Sequence, residues 1–158
     1  MAEVVDTTES TEGAAHIVDL NGEFRFKVDA KGRMSLPAKF RKVLSTDLVV
    51  TRNPKDECLY VFEPDAFNAW VAGVFEDKFE KFDRTNDLHV RLRRKLKSRA
   101  ADVSIDAAGR IMISAEQREA VGIDKEVVVV GNTGYFEIWD AKRYDAVDDE
   151  TDLGLLFD

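Results

Sequence analysis

Hydrophobic and polar residues alternate strictly over FRFKVD, residues 24–29: Phe24, Phe26 and Val28 fall on one side, Arg25, Lys27 and Asp29 on the other. A period of two predicts a half-buried strand. The alternation resumes at Met34 and Leu36, after the turn-forming DAKG. Pro37 then suits the first turn of a helix over AKFRKVL, with Ala38, Val43 and Leu44 supplying part of its apolar face. From Asp47 to Phe67 the chain gives a β-branched run, the break NPKD, the aromatic-rich run CLYVF and a short amphipathic tail. From Lys125 to Tyr144 the same order returns around the break GNTG. Both breaks are strong turn signals. Each half thus reads strand, turn, strand, short helix, strand, turn, strand, short helix.

Between the halves the period changes. Phe67, Trp70, Val71, Val74, Phe75 and Phe79 recur at three- and four-residue spacings after Pro64, which predicts an amphipathic helix. Leu88, Leu92 and Leu96 then form a narrow stripe on a second helix, whose remaining surface carries Arg91, Arg93, Arg94, Lys95, Lys97 and Arg99. The two helices are expected to form an α-hairpin that spaces the halves, with His89 on the surface of the basic one.

The halves are a repeat. VDAKGRMSLPAKFR (28–41) aligns with IDAAGRIMISAEQR (105–118), and Asp29/Asp106, Ala30/Ala107, Gly32/Gly109, Arg33/Arg110, Ala38/Ala115 and Arg41/Arg118 are identical pairs. In each copy the aspartate can accept backbone N–H bonds at the turn start, and the glycine can take the left-handed conformation that closes a type I turn with a bulge. Ser114 replaces Pro37 as helix starter, and Gln117 three residues on resembles a capping box. About forty residues cannot bury enough apolar area to be stable alone, so the two copies are expected to share one core.

Charge changes the picture. The net charge is −8, but six acids and no base occupy residues 1–23, and six acids and no base occupy residues 144–158. The middle keeps all 23 basic residues against the remaining 19 of the 31 acids, a net of +4. Two acidic tails, expected to be solvated and disordered, flank a mildly basic body. They could also mask a basic surface. No apolar run approaches the length of a membrane span, and the N-terminal residues lack the basic start and apolar core of a signal peptide, which predicts a cytoplasmic protein. The single cysteine, Cys58, sits in CLYVF and reads as a buried thiol.

Catalytic chemistry is poorly represented. His16 and His89 are the two histidines, and neither lies near a nucleophile, base or metal pattern; no GxxxxGK[ST] or GxGxxG loop occurs. Asp29 and Asp106 read as turn caps rather than paired acid–base carboxylates. No enzyme activity, cofactor, metal or small-molecule substrate is expected. The arginines are harder to dismiss. Arg33 and Arg110 directly follow the turn glycines, and Arg25, Lys27 and Lys31 stand near the first. Together Arg25, Lys27 and Arg33 can form a basic patch, and an Asp29–Arg33 pair across the turn could orient the guanidinium toward a phosphate or a guanine edge. The second turn is poorer in charge, with Ala108 where Lys31 stands. The basic helix adds the electrostatic footprint of nucleic-acid binding.

DAKGRMSLPAKFR, followed by DAAGRIMIS and VVVVGNTGYFEIWD, resembles the MraZ family of bacterial transcriptional regulators, and more widely AbrB-type swapped-hairpin DNA-binding domains. The resemblance covers residues 21 to about 146. It implies an α+β fold of two tandem AbrB-like β-rich half-barrels with pseudo-twofold symmetry, joined by the helical hairpin. The corresponding organisation is an acidic extension over 1–20, unit one over 21–67, the connector over 68–99, unit two over 100–146 and an acidic tail over 147–158. The resemblance further implies a ring-like homo-oligomer that binds direct repeats in the promoter of the division and cell-wall gene cluster, its own gene included, and so a nucleoid-associated repressor. DNA contact is expected from Arg33 and Lys31, helped by Arg25 and Lys27, with Asp29 orienting and Arg110 as the matching position. The rival reading is a β-barrel protein-interaction adaptor without DNA specificity.

Overall fold

The computed structural model describes residues 17–157; residues 1–16, with His16 and most of the N-terminal acids, lie outside the described residues, as does Asp158. Eight strands follow in chain order: β1 (Glu23–Lys27), β2 (Arg33–Ser35), β3 (Asp47–Arg52), β4 (Leu59–Phe62), β5 (Ala101–Ser104), β6 (Arg110–Met112), β7 (Glu126–Gly131) and β8 (Phe136–Asp140). The helices are α1 (Ala38–Arg41), α2 (Pro64–Phe79), α3 (Asp87–Ser98), α4 (Ala115–Ala120) and α5 (Ala141–Glu150), with a 3-10 turn at Leu153–Leu156. The fold is α+β, with two tandem copies of one β-rich pattern.

The first two strands of each half do not pair with each other as an ordinary hairpin, whereas β3 pairs with β4 and β7 with β8. β1 pairs with β7 of the other half, β5 with β3, and β2 with β6. The large sheet runs β1-β7-β8-β4-β3-β5, and the small one is the β2–β6 ribbon. Exchanging each strand for its repeat counterpart reverses the large sheet's order and leaves it otherwise unchanged, which is the pseudo-twofold. The expected turn at DAKG does form, but it passes the chain from the large sheet to the ribbon. The two halves therefore interlock: each lends its first strand to the other.

Interlocking explains the core. Leu48, Val50, Leu59, Val61, Val127, Val129, Phe136 and Ile138 face one side of the sheet and meet Met34, Leu36, Ile111 and Ile113 from the ribbon segments, with Phe40 from α1. Val49 and Phe62 face the other side and pack under α2 through Phe67, Val71 and Phe75. β3 is thus buried on both faces, which is why LVV reads as a continuous apolar run rather than an alternating one. The helical connector does more than space the halves, since it covers one face of the sheet.

Several expectations are corrected. In α1 the anchor is Phe40, completely buried; Ala38 is exposed, and so is Val43, because the helix ends at Arg41 and the chain turns before Val43 can reach the core. On α3 the buried residue is His89, and of the leucine stripe only Leu96 packs inward. The His89 Nδ1 accepts from the Asp83 backbone N–H at 2.9 Å, and its ring lies 4.1 Å from that of Phe79, while Leu88 and Leu92 are exposed. The Gln117 side chain does not complete a capping box. Ser114 Oγ does accept from the Gln117 N–H, but the Gln117 amide turns inward and donates to the Val50 carbonyl at 2.9 Å. Cys58 is fully buried, as expected, and desolvation pushes its thiol pKa well up.

Both ends depart from the expected boundaries. Val18 and Leu20 of the 1–20 segment are buried, and Asp19 bridges to Thr133. The C-terminal segment begins within α5, which Asp140 caps and which two contacts fasten to β1: Asp145 to Arg25, and Tyr144 Oη to Glu23. Leu153, Leu155, Leu156 and Phe157 beyond it are highly exposed.

Candidate nucleic-acid interface

The geometry of interest is the pair of DxxGR turns and the ribbon they feed. In turn 1, Asp29 Oδ1 accepts from the Lys31 and Arg33 backbone N–H groups, both at 2.9 Å, and Gly32 N–H donates to the Asp29 carbonyl. Asp106 does the same in turn 2 with Ala108 and Arg110. Both aspartates are therefore turn caps, as their position suggests. The backbone N–H of Arg33 and of Arg110, respectively, is the leading cause that holds each carboxyl below the usual range.

Gly32 has φ +89° and Gly109 φ +80°, in the left-handed region that a side chain disfavours. Each turn is also gripped by the other half. The Gly32 carbonyl accepts from Ile113 N–H at 2.8 Å, and the Gly109 carbonyl from Leu36 N–H at 3.0 Å.

The second carboxylate oxygen of each cap takes the following arginine. Arg33 Nε donates to Asp29 Oδ2 at 2.8 Å, and Arg110 Nε to Asp106 Oδ2 at 3.1 Å. This leaves the Nη groups to project. The ribbon register sets where they project: Arg33 is opposite Met112, Met34 opposite Ile111, and Ser35 opposite Arg110. Met34 and Ile111 point into the core, so Arg33, Ser35, Arg110 and Met112 share the outer face. The two arginines are diagonal neighbours, about 7–8 Å apart across such a ribbon. Their side chains are 32% and 35% exposed, held but accessible.

The other expected residues divide. Lys31 is exposed at the tip of turn 1. Lys27 lines an open depression beside it with Asp29, Arg118, Asp124, Lys125 and Glu126, a balanced mixture of charges. Arg25 is drawn away from this group. Its guanidinium bonds Asp145 of α5 at 2.6 Å and approaches Glu23 at 3.4 Å. The basic helix α3 spends part of its charge on packing: Arg93 lies 3.7 Å from the Phe82 ring centre, and Lys97 bonds Asn68. Arg41 and Arg118, singled out in the sequence only as identical pairs, also belong to this region. Each crosses to the turn of the opposite half. The repeat supplied the signal, but only the exchange of strands gives it a location.

No helix among the described residues is long and apolar enough to cross a membrane, and no group of three or more His, Cys, Asp or Glu side chains among them could hold a metal ion.

A family model described as "MraZ protein, putative antitoxin-like" matches residues 20–89 and 96–155, once for each half. Among curated proteins, the transcriptional regulator MraZ of Saccharopolyspora erythraea is 40% identical over 124 residues, 78% of this chain and 82% of that one. The protein of the same name from Burkholderia cenocepacia is 38% identical over 132 residues, covering 79% and 84%. That of Ligilactobacillus salivarius is 37% identical over 131, covering 83% and 87%. The family model covers both turns, most of the connector and the C-terminal helix, and the chain belongs to the MraZ family.

Proposed function

We propose that this protein is a sequence-specific DNA-binding transcriptional regulator whose reading head is the outer face of the β2–β6 ribbon. The observation that carries the proposal is the placement of Arg33 and Arg110 side by side on that face, each braced by its own aspartate. A two-stranded ribbon fits the major groove of B-DNA, and an arginine presenting two N–H groups matches the O6 and N7 acceptors of guanine. Related proteins carrying the name transcriptional regulator support the assignment. Arg33 and Arg110 read bases, Lys31 and Lys27 add phosphate contacts, and Asp29 orients Arg33. Arg25 contributes only if its bond to Asp145 opens.

The target is a set of direct repeats upstream of the division and cell-wall gene cluster, including the protein's own gene, and the effect is repression. A ring-like homo-oligomer multiplies one ribbon's weak contact over several repeats, by about 10²–10⁴ where spacing permits. Exposed Leu88 and Leu92 on α3, and Leu153, Leu155, Leu156 and Phe157 at the C-terminus, offer apolar surface for such assembly.

The test is an anisotropy titration against the gene's own upstream duplex and a shuffled duplex, at two salt concentrations. Preference for the upstream sequence is expected, weakening steeply with salt, and Arg33→Ala should abolish that preference without changing fold or subunit number. Equal feeble binding to both duplexes would favour the adaptor reading. Loss of the oligomer in Arg33→Ala would make Arg33 structural.

A further inference from the structure

Arg41 and Arg118 occupy equivalent places in the repeat, and the structure gives them one unusual relation. Arg118, from α4 of the second half, lies over turn 1: a Cβ placed on Gly32 would sit 3.2 Å from its Nη2. Arg41, from α1 of the first half, lies over turn 2, where a Cβ on Gly109 would overlap its guanidinium. Each DxxGR turn therefore presents two arginines, its own and one from the opposite half.

The crossing arginines differ from Arg33 and Arg110 in their partners. No carboxylate among the described residues makes an ion pair with either. Arg118 donates Nε to the Ile113 carbonyl at 3.1 Å, which fixes the side chain, and it shares an open depression with Asp29, Asp124 and Glu126 without an ion pair to any of them. Arg41 is exposed and lies over the glycine turn. A cation with no direct ion pair is suited to a phosphate. A cation braced by a carboxylate, as Arg33 and Arg110 are, is weakened toward phosphate but kept oriented for hydrogen bonding.

Spacing agrees. Gly32 pairs with Ile113 and Gly109 with Leu36, so the two turns are four residues apart along the ribbon. At about 3.4 Å per residue that is roughly 14 Å. The major groove is about 12 Å wide. The two glycine turns over which the crossing arginines lie are therefore spaced on the scale of the groove.

We infer that Arg41 and Arg118 form a pair of DNA-phosphate sites, one at each end of the ribbon, which set its position while Arg33 and Arg110 read bases. The inference rests on the DNA-binding reading above and adds a division of labour to it. Phosphate contacts position and base contacts specify.

The experiment compares Arg41→Ala, Arg118→Ala and Arg33→Ala on the upstream and shuffled duplexes over a series of salt concentrations. Arg41→Ala and Arg118→Ala should weaken binding to both duplexes by the same factor. Each should make the slope of log K against log salt shallower by about 0.9 for every ribbon engaged on the DNA, the amount expected for one lost phosphate contact per ribbon. Their preference for the upstream duplex should stay at the wild-type ratio, whereas Arg33→Ala should lose it. Arg41→Lys and Arg118→Lys, which keep charge but not shape, should restore the slope and guard against an effect of misfolding. An unchanged slope in the alanine variants would overturn the inference, as would a lost preference with an intact slope. If wild-type protein fails to prefer the upstream duplex, the DNA-binding reading and the inference fall together; if only Arg33→Ala behaves as stated, the inference alone falls.

Discussion

The two halves of this molecule agree in their turns and disagree in what surrounds them. Both turns have the same aspartate cap, left-handed glycine and braced arginine. Around turn 1 the chain carries Arg25, Lys27 and Lys31; the aligned positions of the second half are Asp102, Ser104 and Ala108. On the ribbon face Ser35 is answered by Met112. Inside, Phe40 is answered by Gln117, both buried, but one is an apolar anchor and the other a hydrogen-bonded amide. The lesson is that backbone geometry has been held common to both copies while side-chain chemistry has not. Where a position sets the path of the chain, the copies match. Where it only fills space or faces solvent, they diverge.

The sharpest way to break the comparison is in the core. Phe40→Ala should cost about 3–5 kcal/mol, the usual loss for a fully buried aromatic. Gln117→Leu at the equivalent place should change stability by only about 1 kcal/mol, because it removes a hydrogen bond together with a buried Oε1 that has no partner among the described residues. Urea melts of both variants check this, and similar costs at the two sites would mean that the positions are equally important to packing.

A second test separates the turns themselves. An added methyl at Gly32 would meet the Ile113 carbonyl oxygen, which cannot move without the ribbon, so Gly32→Ala should cost about 2–4 kcal/mol from left-handed strain plus overpacking. At Gly109 the obstacle is the Arg41 side chain, which can swing away, and the cost should fall to about 1–2 kcal/mol of strain. Combining Gly109→Ala with Arg41→Ala should cost less than the two changes added separately. Strict additivity would show that Arg41 does not lie over the turn in solution.

The smallest effect is electrostatic and should be shared. Asp29 and Asp106 both have carboxyl pKa values lowered in the folded protein, chiefly by backbone N–H donors. A lowered folded value means that the two caps contribute fully above the unfolded value of about 3.9. That contribution drains away as pH falls below about 4 and through the folded values. Carboxyl-carbon NMR titration should give both residues midpoints below 3.9; an ordinary midpoint for one would identify a turn that is open in solution.

Much of this was legible in the sequence, for physical reasons. The repeat, the turns and most strands could be read because they depend on local rules: alternation, a capping aspartate, a glycine where φ must be positive. Strand partners could not be read, because alternation in FRFKVD specifies a buried side without saying whose sheet buries it. The exposed Leu88 and buried His89 were inverted for a related reason. A leucine stripe looks like the inward face, but α3 is short and its contact is set by Phe75 and Phe79 of α2 and Phe82 of the following loop, which receive an imidazole. At the candidate site, Arg33 and Arg110 were visible as repeated residues, whereas their shared face required the ribbon register. The pairing of Arg25 with Asp145 joins residues 120 positions apart and left no local trace.

The strand exchange has a consequence for how such a molecule can change over time. If the two copies were separate identical chains, any substitution would appear twice, and a lysine gained at one turn would be gained at both. Joined through α2 and α3, the copies still depend on each other for folding, since neither has a complete sheet without the other's first strand. Their outward positions, however, can be altered one at a time. The connector thereby converts an enforced symmetry into an optional one, and Lys31 opposite Ala108 is one place where the option has been used.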